Sequence, residues 1–379
     1  MIIQSTRVYI DEKFVPLQVE IVAGRISQLN PYNLKRPDVD YGNCMILPGL
    51  IDIHNHGWNR CDTNHATPQW VNAWMRYLPS EGVTSTVPSC SCCDEPTMLA
   101  GMAAVAQVMQ QGHQGTNILG IYSEGPFVSD KYHGAQDLNY KVIPTPAVYD
   151  RYQAACQGKL IYVMCAPEEL SGDMSFIQYC VAHGTKVALG HTGASFEQCA
   201  QARAAGAVSF THTYNGMRGL QHREPGTVGA AMFFDDMYAE MIGDGVHVSF
   251  PAMNILAKTK GKDRLISVTD SVAIKGLPLG HYAEGGRECD ICPDGVARLA
   301  DGTIAGSANR LNVILGREIT QAYIPWETAI NSVTCNPARL LGFSNHKGYL
   351  REGYDADIAV LDGQFSVVQT YVMGLAQLA

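Results

Sequence analysis

The sequence predicts an α/β fold, a (β/α)8 barrel carrying a small β-sandwich domain built from both ends of the chain. Three observations support this. Through the middle of the 379 residues, eight apolar β-like runs alternate with helical patterns, as expected of a parallel sheet wrapped by helices. Short strand-and-turn segments fill the first 47 residues and recur near the carboxyl end. A histidine or a carboxylate stands just after six of the eight runs. The expected division is residues 1–47 plus 346–379 for the small domain and 48–345 for the barrel.

Taken in order, residues 7–10, 19–22 and 25–29 read as strands, with turns at 11–13 and 23–24. That is too little sheet to stand alone, and residues 357–361, 365–368 and 370–373 have the same character, so the termini are expected to share one β domain. Residues 45–50 read as a buried strand with a turn signal inside, leading into Ile51-Asp52-Ile53-His54-Asn55-His56-Gly57. His54 and His56 are two residues apart, so on a strand their imidazoles face one point. The other seven runs are 84–87, 118–122, 160–164, 186–189, 207–210, 238–242 and 265–269. Ser195 with Gln198 forms a capping box before an Ala-rich helix to Ala205, while Asn336-Pro337 starts and Gly342 ends a late helix.

Composition narrows the partners. Hydrophobic residues make up 46% and charged residues 17%, an ordinary globular balance, and the formal net charge of −9 argues against nucleic acid or an anionic membrane as partner. No run reaches the length of a membrane span, and the first residues lack the charged-then-apolar order of a signal peptide, so a cytoplasmic protein is expected. The twelve cysteines lie mostly singly in apolar settings and read as reduced thiols. Cys90, Cys92 and Cys93, with Cys289 and Cys292, could be imagined as a thiolate zinc site, but the first cluster has no zinc-ribbon spacing.

The strand ends carry the chemistry. His54 and His56 follow the first run, Glu124 the third, His191 the fifth, His212 the sixth and Asp270 the eighth, with His247 just beyond the seventh. In barrels of this class that end of the sheet is the catalytic face. A single such residue can be the satisfied polar end of a strand; the series together points to a divalent metal site. Its nitrogen and oxygen donors suit zinc first, with iron or manganese as alternatives, over calcium or magnesium. A metal held by Glu124, His191 and His212 keeps an open position for water, and Asp270 fits the general base and acid that moves the water's proton to a leaving nitrogen.

Longer motifs add a resemblance. Ser123-Glu124-Gly125-Pro126-Phe127, Gly190-His191-Thr192, Thr211-His212-Thr213-Tyr214-Asn215-Gly216-Met217, Arg223-Glu224-Pro225-Gly226, Gly243-Asp244-Gly245-Val246-His247-Val248 and Val268-Thr269-Asp270 resemble the N-acetylglucosamine-6-phosphate deacetylase family of the amidohydrolase superfamily over essentially the whole chain. The resemblance implies Glu124, His191 and His212 as main metal ligands and Asp270 as catalytic acid and base. It implies sugar-phosphate contacts from His247, Asn215 and Gly216. Arg223 would meet the phosphate from the other subunit of a homodimer, a pairing that guanidinium chemistry favours. Some members of the family keep both histidines of the first strand and bind two metals. This chain keeps both, which implies one or two metals per subunit, the second held by His54, His56 and Asp270 and bridged by Glu124.

Two departures bear on the substrate. Where the family has a substrate-touching histidine, this chain has Gln136 in Gly134-Ala135-Gln136, with His133 three residues earlier. The segment Ile304-Ala305-Gly306 resembles the family's acyl-side stretch but continues into Ala308-Asn309-Arg310. The expected reaction is removal of the N-acetyl group from N-acetylglucosamine 6-phosphate or a relative such as N-acetylgalactosamine 6-phosphate, with Ala135, Gln136, Ile304, Ala305 and Gly306 among the substrate contacts. The competing readings are an amidohydrolase of a cyclic amide or N-acyl amino acid, against which the Arg223 segment argues, and a non-catalytic oligomeric scaffold, which would not be expected to keep every ligand.

Overall fold

Gly49 divides what reads in the sequence as one apolar run. In the computed structural model, which describes residues 1–284 and 287–377, Met45–Pro48 pairs antiparallel with Ile358–Leu361 in the terminal sheet, whereas Leu50–Asn55 pairs in parallel with Val83–Cys90 as the first barrel strand. The expectation that the whole run lines the barrel is therefore corrected at this residue. A Cβ at position 49 would stand 2.1 Å from Thr84 Oγ1, so the chain can pass from one sheet to the other only with glycine here.

The eight barrel strands are Leu50–Asn55, Val83–Cys90, Ile121–Ser123, Leu160–Cys165, Lys186–Leu189, Ser209–Phe210, Tyr238–Ile242 and Leu265–Val268, each paired in parallel with the next. The ring is nearly closed. An isolated parallel bridge between Asn55 and Ser271 joins its ends, and buried Asp52 reinforces it by accepting from Thr269 Oγ1 at 2.6 Å and from Asn55 Nδ2 at 3.2 Å. Strand alternation feeds two cores: Ala239 and Met241 belong to the outer one, with Leu256 of the helix Phe250–Arg264, while Ile242 shares the inner one with Tyr122, Tyr162, Ile266 and Val268. Glu240 shares the face of Ile242, an unusual place for a carboxylate.

The Ser195 capping box forms as expected ahead of Phe196–Ala204, with both reciprocal bonds present. The late helix Cys335–Leu341 begins one residue before Asn336 and ends at Gly342, whose φ of +85° suits its role as a cap. No described helix is long and apolar enough to cross a membrane.

The terminal domain is realised as one mixed sheet in the order Leu375–Gln377, Val367–Val372, Ile358–Leu361, Met45–Pro48, Ile2–Ile10, Lys13–Val22 and Arg25–Pro31, with Val39–Asp40 beside Ile2–Ile10. Residues 378 and 379 of the expected segment 346–379 lie outside the described residues. The sheet has its own core of Ile3, Val19, Ile26, Ile46, Ile358 and Tyr371. A second feature has no counterpart in the sequence reading. Between the eighth strand and the helix Leu311–Thr320, Gly280–Glu284, Arg287–Ile291, Val296–Leu299 and Ile304–Ser307 form a four-stranded antiparallel sheet, and its last strand passes the barrel mouth.

Behind the eighth strand, Glu318 is fully buried and accepts a hydrogen bond from Ser267 Oγ. Burial pushes its carboxyl up from an ordinary 4.5 to about 8. The folded chain thus holds a proton that the unfolded chain releases. This contribution to stability is fully present below the unfolded value and is lost as pH rises through about 8. Chemical denaturation across pH 5 to 9 should show the wild type losing up to about 1.4 kcal/mol per pH unit relative to Glu318→Gln. Parallel profiles for the two proteins would mean that Glu318 carries no such proton.

Candidate active site

The strand ends deliver six side chains to one point. Glu124, directly after Ser123, lies at the centre and is 2% exposed. Its Oε1 is 2.9 Å from His212 Nε2, 3.1 Å from His191 Nε2 and 3.4 Å from His54 Nε2, while its Oε2 is 3.3 Å from His56 Nε2. Asp270 Oδ1 stands 3.2 Å from His56 Nε2 and 3.5 Å from His54 Nε2. Two groups of potential ligands result, Glu124 with His191 and His212, and His54, His56 and Asp270 with Glu124 again. Neither includes a cysteine. Cys92, Cys93 and Cys289 do line the cleft above.

Three of the four histidines are oriented from behind. His54 Nδ1 donates to Glu240 Oε2 at 3.0 Å, and Tyr162 OH donates to the other oxygen of Glu240 at 2.7 Å. His56 Nδ1 donates to Ser89 O at 3.0 Å and His191 Nδ1 to Tyr132 O at 3.1 Å. A proton fixed on Nδ1 leaves the Nε2 lone pair directed at the centre, which is how metal-binding imidazoles are held. Burial opposes charge on His54 and His56, yet Asp270 and Glu124 beside them raise both, His56 to about 9. Burial likewise opposes ionisation of Glu124, but His54 and His56 hold it well below the usual carboxylate range. A buried and a partly buried carboxylate that stay ionised demand positive charge, and four convergent imidazole nitrogens are the donor set of a zinc-like metal, so the residues fit a divalent cation in each group.

Local backbone is bent to achieve this. His191, His212 and Asp270 have φ values of +43°, +32° and +45°, a left-handed region that costs a non-glycine residue about 1–3 kcal/mol. Gly216 makes room beside them, since a Cβ there would lie 2.9 Å from His191 Nδ1 and 3.0 Å from Tyr132 O. Glu168, beyond the fourth strand, accepts from Thr192 Oγ1 and from Gly193 N and so holds the turn after His191.

The cluster forms the floor of a cleft of about 280 Å³. His56, Glu124, His191, His212 and Asp270 line it, and His54 lies beneath. The expected substrate residues Ala135, Gln136, Asn215, Gly216, His247, Ile304, Ala305 and Gly306 line its walls. His247 is oriented by Asp244, whose Oδ2 accepts from its Nδ1 at 2.6 Å. Gln136 is 8% exposed and its amide touches Glu124. Two residues stand elsewhere. Arg223 is exposed and absent from the cleft wall, and His133 turns its Nδ1 onto Gln136 O at 2.9 Å, closing a local turn.

Sequence reasoning missed Glu240, Glu168, Asp244 and the apolar wall formed by Val272, Ile274 and Leu299. Glu240 carried a usable signal, a carboxylate centred in an otherwise apolar strand, and Asp244 stood three residues before His247; Glu168 and the apolar wall owe their roles to contacts between loops.

Comparisons with known proteins agree with this geometry. The profile of the amidohydrolase family matches residues 45–376. The chain is 34% identical over 355 residues to the N-acetylglucosamine-6-phosphate deacetylase of Vibrio furnissii, covering 93% of this chain and 88% of that protein. It is 32% identical over 357 residues to the N-acetylgalactosamine-6-phosphate deacetylase of Escherichia coli O157:H7, covering 94% and 93%. Among solved structures, a mutant N-acetyl-D-glucosamine-6-phosphate deacetylase from Mycobacterium smegmatis in complex with N-acetyl-D-glucosamine-6-phosphate superposes with a TM-score of 0.94 at 29% identity, covering 100% of this chain and 99% of that one.

Glu240→Gln should leave the fold intact and weaken metal binding at the group containing His54 by about 10- to 100-fold, because His54 Nδ1 then faces a neutral acceptor. Zinc titration of metal-stripped protein measures this. Unchanged affinity for both equivalents would reduce Glu240 to a packing role.

Proposed function

Since this chain belongs to the amidohydrolase family, within the N-acetylhexosamine-6-phosphate deacetylases, we propose that it hydrolyses the N-acetyl group of an N-acetylhexosamine 6-phosphate to give acetate and the amino sugar phosphate. The observation that carries this reading is the buried cluster of Glu124, His191, His212, His54, His56 and Asp270 at the floor of the cleft. We take zinc as the metal, with iron or manganese as alternatives, and both groups of ligands as sites. Bound there, a divalent metal supplies polarisation of the acyl carbonyl and acidifies water.

The chain's own residues supply the rest. Burial raises the carboxyl of Asp270, but His54 and His56 more than offset this and hold it below the usual range, so it enters the reaction as a base. It takes one proton of the attacking water and returns it to the amide nitrogen as the C–N bond breaks; the second water proton also ends on the amine, so the products are acetate and the ammonium form of the amino sugar phosphate. His247, its ring fixed by Asp244, and Asn215 with the backbone at Gly216 hold the sugar phosphate from one side. Ala135, Gln136, Ile304, Ala305 and Gly306 face the acyl group and ring, and we keep Gln136 as a determinant of which hexosamine epimer is preferred.

Phosphate recognition favours a guanidinium or ammonium group. Among the described residues no lysine or arginine lines the cleft. Arg223, exposed and making no hydrogen bond or ion pair among the described residues, fits a donor to the neighbouring subunit's phosphate in a homodimer. The buried free thiols of Cys90, Cys156, Cys165, Cys180, Cys199 and Cys335 suit the cytoplasm.

Asp270→Asn should fold normally and turn over N-acetylglucosamine 6-phosphate at least about 100-fold more slowly, with acetate release as the assay. Normal turnover would make Asp270 structural. Arg223→Ala should raise KM for the phosphorylated sugar far more than for its unphosphorylated form. Mixing it with Asp270→Asn under verified subunit exchange should restore part of the activity. Equal losses on both sugars, or no recovery, would remove the arginine from a phosphate site shared between subunits.

A further inference from the structure

The side chain of Gln136 is committed at both ends. Its Nε2 donates to Glu124 Oε2 at 2.5 Å, and its Oε1 accepts from the backbone N–H of Cys92 at 2.7 Å. The Cys92 N–H can only donate, which settles that the amide oxygen faces Cys92 and the amide nitrogen faces Glu124. The Cys92 anchor is itself fixed, because Asn64 Nδ2 donates to the preceding Ser91 O at 3.0 Å and Asn64 Oδ1 accepts from Ser91 N at 3.3 Å. Gln136 therefore reaches Glu124 from a rigid support.

The oxygen it holds matters. Glu124 is the one side chain common to both ligand groups. Its Oε1 faces His191 and His212, with His54 Nε2 farther off at 3.4 Å, and its Oε2 faces His56. A carboxylate free to turn about its last torsion, a broad and weakly restricted one, could bring both oxygens onto the His191 and His212 side and leave the other group short of a ligand. Gln136 opposes that turn by holding Oε2 on the His56 side. One lone pair of Oε2 takes the amide hydrogen while another stays available.

The geometry points to Gln136 as a positioning residue that holds Glu124 in the bridging orientation and so sets the affinity of the second metal, the one held with His54, His56 and Asp270. This rests on the two-site metal reading above and adds to it a residue outside both ligand groups. Metal-stripped wild-type protein titrated with zinc alone is expected to take up two equivalents. In Gln136→Met, close in shape but unable to donate, the first equivalent should bind as in the wild type and the second at least tenfold more weakly. In Gln136→His, whose ring N–H can again donate, the second should recover. Cobalt in place of zinc gives an independent reading through the visible absorption of each site, and circular dichroism checks the fold.

Uptake of both equivalents unchanged in Gln136→Met would overturn the inference, as would an equal loss of both in a folded variant or a single equivalent in the wild type. Substrate is absent from this titration. A chain that binds two equivalents with the expected split yet releases no acetate would therefore contradict the deacetylase reading alone.

Discussion

Everything around the barrel mouth answers to one constraint, a carboxylate that is buried yet ionised. Glu124 lies 2% exposed with imidazole nitrogens on both oxygens, and an isolated charge at that depth would cost several kcal/mol. The histidines offset it, and they must approach from strands that are far apart in sequence. A closed parallel barrel is the arrangement that brings the ends of strands one, three, five, six and eight to a single point. The left-handed backbone at His191, His212 and Asp270 shows the local cost of that convergence. Glu240 and Tyr162 show its second layer, a buried polar pair that orients His54 from behind.

The same convergence made much of the site legible in the sequence. Ligands that follow successive strands fall at regular places in an alternating pattern, so His54, His56, Glu124, His191, His212 and Asp270 could be found without coordinates. Contacts between loops could not. Gln136 reads as a changed residue in a substrate motif, and nothing in its neighbourhood indicates that its amide lies on Glu124, 12 positions away, while its oxygen meets Cys92 across 44. Gly49 looked like a turn inside one strand because both halves are equally apolar; only the crowding by Thr84 shows why they belong to different sheets. The four-stranded sheet from Gly280 to Ser307 has strands of only four or five residues, and none of them carries a long apolar run in the sequence.

That sheet and the barrel share the labour of the cleft. The barrel supplies charge and ligands from its floor, whereas Leu299, Ile304, Ala305 and Gly306 bring an apolar wall from the added sheet. Ser307 ties the two together, with its N–H donating to Asp270 O at 2.9 Å and its hydroxyl to Thr269 O at 2.5 Å. Asp270, the proposed acid and base, is therefore held between the end of the eighth strand and the added sheet. Such an arrangement keeps reacting groups in register while the rest of the substrate is selected elsewhere.

The most direct test of the account is acetate release by metal-stripped and zinc-reconstituted protein, measured on N-acetylglucosamine 6-phosphate, N-acetylgalactosamine 6-phosphate and the two unphosphorylated sugars. The account predicts no release from the stripped protein and restored release after reconstitution, with at least one phosphorylated sugar far ahead of its unphosphorylated form. Full activity without metal, or equal rates with and without the phosphate, would contradict it.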